Sequence, residues 1–504
     1  INVSTPVSLT WTGQSFGNGA VDSSWNDSGS SNWADGSGVG SATNYVNGVG
    51  VTFQDVNAVS GSNVTNLTVT IQAAGVSPTS VLFNNSAVNY TVANASGTVG
   101  ITGTASLTKQ GTGTVTLSSA NSYTGTTTIT AGTLQVNGSL AAGSTVGVGT
   151  AGTLSGSGTI NGDVTLTGSG IINLTNPGLI GGTLGVTGGN WNGAGSVTGL
   201  ATLSSGAFTI GSGANLTANG GLSVTGGSIT SGSSTSTITG SVNYTSASDS
   251  TFSGVIAGSG KSVTMNNSAA TLILDGANTY TGATTITAGT LQLGSGGTTG
   301  TLATSSVITN NGTFEINRGN AVAQGTDFSG SGISGTGGIT QAGTGTTTLN
   351  ATNTYTGATL VSAGTLQLGS TGALGGGGSN TSGVTVSNGA TLDLNGVTAM
   401  ANTVDLNLSG TSTATAGALT NSSGTSATWA GTVNLQSASS IGSNNGDIVL
   451  SGNLSGGFAL TKVGSDKLTL TGASNASTTT TISAGTLEVG NGGTSGVLGS
   501  GLVS

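Results

Sequence analysis

The sequence predicts an all-β protein, a parallel β-solenoid with almost no α-helix, and three observations carry that expectation. A phrase of about thirty residues recurs along the chain. Apolar and polar residues alternate with period two wherever the phrase occurs. Glycine fills 95 of 504 positions while proline fills only 3. A short strand-rich unit cannot bury its apolar edge alone, so repeated units stack and cover one another.

The phrase runs Leu107-Thr-Lys109-Gln-Gly-Thr-Gly, then Val115-Thr-Leu117, Asn121-Ser-Tyr123-Thr-Gly125 and Ile129-Thr-Ala131-Gly132-Thr133-Leu134-Gln135-Val136. It returns almost verbatim around Tyr280 and Tyr355 and in worn form around Ile482. The Ala-Gly-Thr-Leu landmarks begin at Ala131, Ala288, Ala363 and Ala484, at unequal intervals, so the repeats are embedded among other rungs. Val115/Leu117, Leu134/Val136, Leu291/Leu293, Leu366/Leu368 and Leu487/Val489 alternate with Thr, Gln or Glu, which puts the aliphatics on one face of each strand. Asn-Gly and Gly-Gly pairs supply the positive φ of tight corners. A second strand set covers 307–316 and 384–394, with Gly312 and Gly389 expected at the same corner. No segment shows a capped 3.6-residue period. Stacked sandwich modules would need aromatic-rich cores, and aromatics make up 4% of the chain. A β-helix instead stacks small aliphatics, with Asn, Ser and Thr ladders at its corners. Residues 1–100 read as a Trp-containing N-terminal segment, cap or first rungs. Residues 101–504 read as the solenoid, with degenerate repeats near 107–136, 272–293, 339–368 and 460–489.

Composition narrows the chemistry. Mean hydropathy of +0.18 and 4% charged residues argue against disorder despite the Gly/Ser content. There is no cysteine, hence no disulfide, thiolate metal site or thiol nucleophile, and no histidine to act as general base. Five basic against fourteen acidic residues, net −9, exclude ordinary nucleic-acid binding and disfavour anionic membrane surfaces. No stretch has the length of a membrane span. The start at Ile1 reads as a mature or trimmed product, and 500–504 stop where earlier units continue, so the natural chain is expected to run on.

The repeated phrase, Leu-Thr-Lys-x-Gly-x-Gly…Asn-x-Tyr-x-Gly-x-Thr-x-Ile-x-Ala-Gly-Thr-Leu-Gln, resembles the autotransporter-associated β-strand repeat of secreted bacterial passenger regions. Trp11-Thr-Gly13, Trp25-Asn26, Asn32-Trp33 and Val51-Thr-Phe53 are similar to the beginnings of large proteins bearing it. The resemblance implies a right-handed parallel β-helix displayed on, or released from, a bacterial surface. The unit around Tyr280 lacks the Lys-x-Gly-x-Gly lead-in, and the third has Gln341 in place of Lys. The fourth has Ser474, Ala476 and Thr478 where the pattern has Asn, Tyr and Gly. Such decay at the landmarks points to packing roles for them.

Candidate sites are few. Trp11, Trp25 and Trp33 lie near Asp22, Asp27 and Asp35, a set that could bind a sugar or hold Ca²⁺, or could simply cap the first rung. The cap is the favoured reading, and no other cofactor is expected. Lys109 and Lys462 occupy equivalent places just past Leu107 and Leu460 and are expected to face solvent, a Lys–Asn isopeptide link being the exotic alternative. Lys467 is expected to form a surface ion pair with Asp466. Glu315 and Arg318, the only arginine, are expected to flank a strand corner. Asp163, Asp249, Asp275, Asp327, Asp393, Asp405 and Asp447 are scattered along the chain, which argues against the paired carboxylates of polysaccharide-cleaving β-helices. The Thr runs at 124–130, 346–348 and 478–481 follow from strand propensity rather than from an ice-binding array.

The expectation is therefore a non-enzymatic, extracellular structural protein, a β-solenoid forming a surface fibre, stalk or matrix layer. Its partner would be itself, stacked head to tail, with the segment holding Val3, Val7 and Leu9 as donor. The alternative is a monomeric autotransporter-like adhesin that binds glycan or another cell.

Overall fold

The computed structural model describes residues 8–13, 23–26, 32–35, 42–58, 60–65, 67–72, 74–96, 99–376, 383–400, 403–411 and 417–504. Val3, Val7, Asp22 and Asp27 lie outside the described residues. The chain forms two compact units, Ile1–Ser246 and Ala247–Ser504. Among the described residues there are strands, bridges and turns, and no helix.

Each unit is a parallel β-solenoid. In the first, one inward column runs Phe53, Phe83, Lys109, Ile129, Val148, Leu166, Val186, Leu203, Val224, Tyr244, each residue opposite the next in a parallel pairing. A second column runs Tyr90, Val115, Leu134, Leu154, Ile172, Trp191, Ile210. A third runs Asn121, Leu140, Ile160, Ile180, Val197, Ala218. Three strand faces per turn therefore enclose the core. The alternation dictates this: in Thr114–Leu117 the valine and Leu117 are buried while the threonines are half-exposed. Each fully buried aliphatic contributes about 1.5–3 kcal/mol relative to exposure. The first unit begins differently. Ser8–Trp11 pairs antiparallel with Trp33–Ala34, which pairs antiparallel with Ala42–Thr43, while Ser8–Trp11 also lies parallel to Gly50–Gln54.

In the second unit the columns run Leu272, Leu291, Phe314, Ile339, Thr359, Val384, Leu406, Val433, Leu454 and Thr347, Leu366, Leu392, Leu419, Ile441, Lys462, Ile482. A third face stacks Trp429, Leu450, Leu470 and Val489.

The landmark glycines explain the corners. Gly132, Gly289, Gly364 and Gly485 have φ of 68°, 81°, 58° and 71°, the left-handed region that a side chain disfavours. A Cβ at Gly132 would also run into the Gly111 carbonyl oxygen of the preceding turn. Gly312 and Gly389 lie in the same corner, between Ile308–Asn310 and Thr313–Ile316 and between Val384–Val386 and Thr391–Asp393, but at different places in it. Phe314 and Leu392 are the equivalent positions, paired with Leu291 and Leu366, and the run-up to Leu392 is longer. Gly389 has φ 85° in open space, whereas Gly312 is pressed against Gly289.

Candidate functional site

The N-terminal aromatic residues face inward. Trp11, Trp25 and Trp33 are each 0% exposed. Trp11 and Trp33 stand edge to face with ring centroids 5.1 Å apart, and Trp25 lies 5.6 Å from Trp33 and 5.4 Å from Phe53. Phe53 stacks on Phe83 at 4.6 Å and meets Tyr90, whose hydroxyl donates to the Gln54 carbonyl at 2.6 Å. Asp35 is half-buried just past Trp33–Ala34. Stacking on a sugar needs an open ring face, and none of these three indoles offers one. The other two tryptophans, Trp191 and Trp429, and all six tyrosines are buried as well.

The repeat's polar landmarks also point inward and tie consecutive turns. Asn121 accepts the Ile101 N–H of the preceding turn at 3.0 Å and donates to the Ser119 and Ser139 carbonyls. Asn278 does the same between Ile256, Gly276 and Thr301, and Asn353 accepts from Ile333 and donates to Ala373. Tyr123 Oη and Thr127 Oγ1 lie 2.7 Å apart, and Thr127 continues to Ser144 at 3.1 Å. Tyr280, Thr284 and Ser306 repeat that chain at 2.7 and 2.8 Å, and Tyr355 meets Thr359 at 2.7 Å. Burial pushes the Tyr123 phenol up to about 12, and that of Tyr280 and Tyr355 higher still.

The worn fourth unit is shifted by one residue relative to the sequence comparison. Ala476 donates to the Leu454 carbonyl as Ser122 does to that of Ile101, so Asn475 takes the place of Asn121 and Ser477 that of Tyr123. Ser477 reaches Thr480 at 3.2 Å, but the buried Asn475 Nδ2 has no partner. The network is therefore weaker where the phrase has decayed.

Lys109 and Lys462 do not face solvent. Both are 0% exposed, sitting in the aliphatic columns between Phe83 and Ile129 and between Ile441 and Ile482. Lys109 Nζ donates to the Gln110, Gly111 and Ala131 carbonyls at 2.7, 2.8 and 3.3 Å. Lys462 Nζ donates to those of Val463, Gly464 and Ala484 at 2.7, 2.8 and 3.1 Å. Both ammonium groups are thus engaged by main-chain oxygens. Burial lowers Lys109 to about 8 against the opposing pull of Asp55, and lowers Lys462 against Asp466 and Asp447. The sequence rule was sufficient here: period two places residue 109 on the same face as Leu107.

Most acidic residues cap the next turn. Asp163 accepts the N–H and hydroxyl of Thr183, which hold its carboxyl below the usual range. Asp249, Asp405 and Asp447 accept the N–H groups of Thr271, Thr432 and Lys467, and Asp275 accepts the Thr299 hydroxyl. Asp327 caps Ala323 within its own loop, and Asp55 gathers the N–H groups of Ser86, Ala87 and Val88. Asp393 is held by Gln367, Asn395 and Ser422. A signal existed in the sequence. Asp163, Asp405 and Asp447 each stand immediately before a strand, and the partner holds the corresponding place one turn on. Among the described residues no three His, Cys, Asp or Glu side chains converge.

The one expected ion pair changes partner. Lys467 pairs with Glu488 at 2.8 Å rather than with Asp466, because the ladder sets Thr469 and Lys467 beside the strand Thr486–Val489. Arg318 is buried and donates to Asn320 and to the Gly300 carbonyl, while Glu315 sits in the outer ladder between Gln292 and Thr340. The outer faces carry polar ladders of this kind: Thr116 to Gln135 at 3.0 Å, Thr209 to Thr230 at 2.9 Å, Thr348 to Gln367 at 2.9 Å.

Residues 107–136, 267–293, 339–368 and 460–489 match the passenger-associated-transport repeat, so the chain carries four copies of it. The second match begins at 267, ahead of the expected 272, and takes in the altered lead-in. The chain is also similar to the adhesin BmaC autotransporter of Brucella suis biovar 1 (strain 1330), with 42% identity over 86 residues. That stretch is 17% of this chain and 2% of the adhesin. No solved structure matches.

Proposed function

We propose that this chain is a segment of a bacterial passenger-type β-solenoid that lies outside the cell and acts by adhesion rather than catalysis. The observation that carries the reading is that the recurrent Asn and Tyr of the first three transport repeats, and the lead-in lysines of the first and fourth, point inward. The recurrent polar chemistry of the repeats serves the scaffold, and the outer faces are left to polar ladders and loops. Similarity to an autotransporter adhesin supports the same reading. With every Trp and Tyr buried, adhesion would use hydroxyl and amide groups rather than aromatic platforms. The test is display of residues 1–504 on a non-adherent bacterium, scored for attachment to cells and to matrix-coated surfaces. Attachment above that of an equally long, unrelated β-solenoid is expected, and attachment equal to it would overturn the proposal.

End-to-end stacking into a fibre is a separate reading that rests on the repetition alone. Electron microscopy across a hundredfold concentration range distinguishes it, since only stacking gives filaments that lengthen with concentration.

A further inference from the structure

The four repeats place different residues at one buried position beneath the Ala-Gly-Thr-Leu corner. Pairing opposite Ile129, Ile286, Val361 and Ile482 identifies them as Lys109, Met265, Gln341 and Lys462. The opposite-strand leucines fix the far end of each lead-in at Val115, Leu272, Thr347 and Leu468. Counting between these marks, the Lys and Gln lead-ins have equal length, and the Met lead-in is one residue longer.

We propose that this position is a turn lock, built in two interchangeable forms: a short lead-in closed by a buried side-chain donor, and a long lead-in closed by main chain. In the short form the donor serves the carbonyls of its own lead-in, and the two lysines also bridge to the following turn. Lys109 ties the carbonyls of its own lead-in, Gln110 and Gly111, to that of Ala131 one turn later, and Lys462 does the same through Ala484. Gln341 makes the within-turn part of this set, its Nε2 donating to the Gly343 and Gly345 carbonyls of its own lead-in at 2.7 and 3.3 Å, while its buried Oε1 has no partner. In the long form Met265 brings only a methyl group to the corner glycine, Gly289. There the extra residue lets Asn266 pair in the ladder with Ala288, the counterpart of Ala131, across a register shift. Donor and length thus change together. The reason is that carbonyl oxygens buried at a tight corner must be served, either by a side chain or by the backbone. Because Ala131 and Ala484 belong to the turn that follows, each lysine lock closes only once that turn is laid down. The acidic groups nearest the ammoniums are Asp55 for Lys109 and Asp447 and Asp466 for Lys462. None makes an ion pair with either lysine, so the lock is a set of carbonyl bonds.

The experiment is hydrogen exchange of the full chain, read on the corner amides 131–134, for wild type, K109Q, K109M and K109M with one alanine inserted after Gln110. K109M should exchange roughly 10- to 100-fold faster, the loss of a charged donor to buried acceptors, while K109Q should stay within roughly tenfold of wild type. The insertion should recover most of the protection in K109M. K109M exchanging like wild type, K109Q exchanging like K109M, or an insertion that restores nothing would each overturn the proposal. Amine acetylation of the wild-type chain gives a reading that needs no variant. Lys467 should react and Lys109 and Lys462 should not until the chain unfolds, and equal reaction of all three would overturn the lock.

Discussion

The hydroxyls of Tyr280 and Thr284 lie 2.7 Å apart inside the solenoid, and Thr284 passes the chain on to Ser306 in the next turn at 2.8 Å. A phenol and two alcohols, all fully buried, thus satisfy one another across two turns. Replacing the central member should hurt most. Thr284→Val and Thr127→Val keep the shape of the side chain but leave a tyrosine and a serine hydroxyl short of a partner. A loss of about 1–3 kcal/mol is expected for each, measured by urea unfolding. Tyr355→Phe removes a shorter chain and should cost less than Thr284→Val.

Asn121, Asn278 and Asn353 each serve polar main-chain groups of neighbouring turns. Substitution by alanine strands several of these at once. Asn278→Ala should therefore cost more than about 2 kcal/mol, whereas Asn475→Ala, whose Nδ2 has no partner, should cost distinctly less. Equal losses would show that the apparent decay of the fourth unit has no energetic meaning.

The corner glycines divide into two kinds. Gly132→Ala meets both a left-handed φ of 68° and the Gly111 carbonyl, so a loss above about 2 kcal/mol is expected. Gly389→Ala has a similar φ of 85° with nothing nearby, and only the backbone penalty of about 1–2 kcal/mol applies. Thermal unfolding of the two variants side by side checks the difference.

Much of this was readable from the residues. The period-two alternation gave the strands and their inward faces, and the recurrent phrase gave the stacking. Where residue type and position point in opposite directions, position decides. Lys109 follows Leu107 by two, so the alternation turns it inward, against the usual preference of a lysine for solvent. The main-chain oxygens that make its burial tolerable belong partly to Ala131, and no local rule brings that residue to it. The same holds for Lys467, whose partner Glu488 lies one turn away rather than beside it in sequence. The Asp caps were legible in principle from their position before strands, but only once the turn length was known.

Alkaline pH should show two opposed responses. Lys109 is lowered from 10.5 to about 8 in the fold, so between those values the unfolded chain binds the extra proton and the group's contribution to stability rises with pH. Lys462 is shifted in the same direction. Above pH 10 the sign reverses. Unfolded tyrosines ionise there while Tyr123 holds its proton to about 12, and Tyr90, Tyr280 and Tyr355 hold theirs higher, so stability falls. Urea midpoints should rise between pH 8 and 10 and then drop, and a K109Q/K462Q double variant should lose the rise. A monotonic fall from pH 8 would contradict the burial of the lysines.

All five tryptophans are enclosed. Iodide should leave native fluorescence almost unquenched and quench it strongly in urea. Trp25→Ala or Trp33→Ala should cost about 3–5 kcal/mol, because each empties a space inside an aromatic cluster. A loss of ligand binding in such variants would therefore report unfolding of the aromatic cluster before it reported a sugar site.

On the proposed adhesive function, the repeats build the inside and contact falls to the outside. The direct measurement is attachment of cells to beads coated with the chain, comparing outward and inward substitutions of matched thermal stability. Changing the outer-ladder residues Thr116, Gln135, Thr209 and Thr230 to alanine should reduce attachment with little loss of stability, and soluble wild-type chain should compete. Beads that bind no cells, or binding unmoved by any outward change, would overturn adhesion through the outer faces.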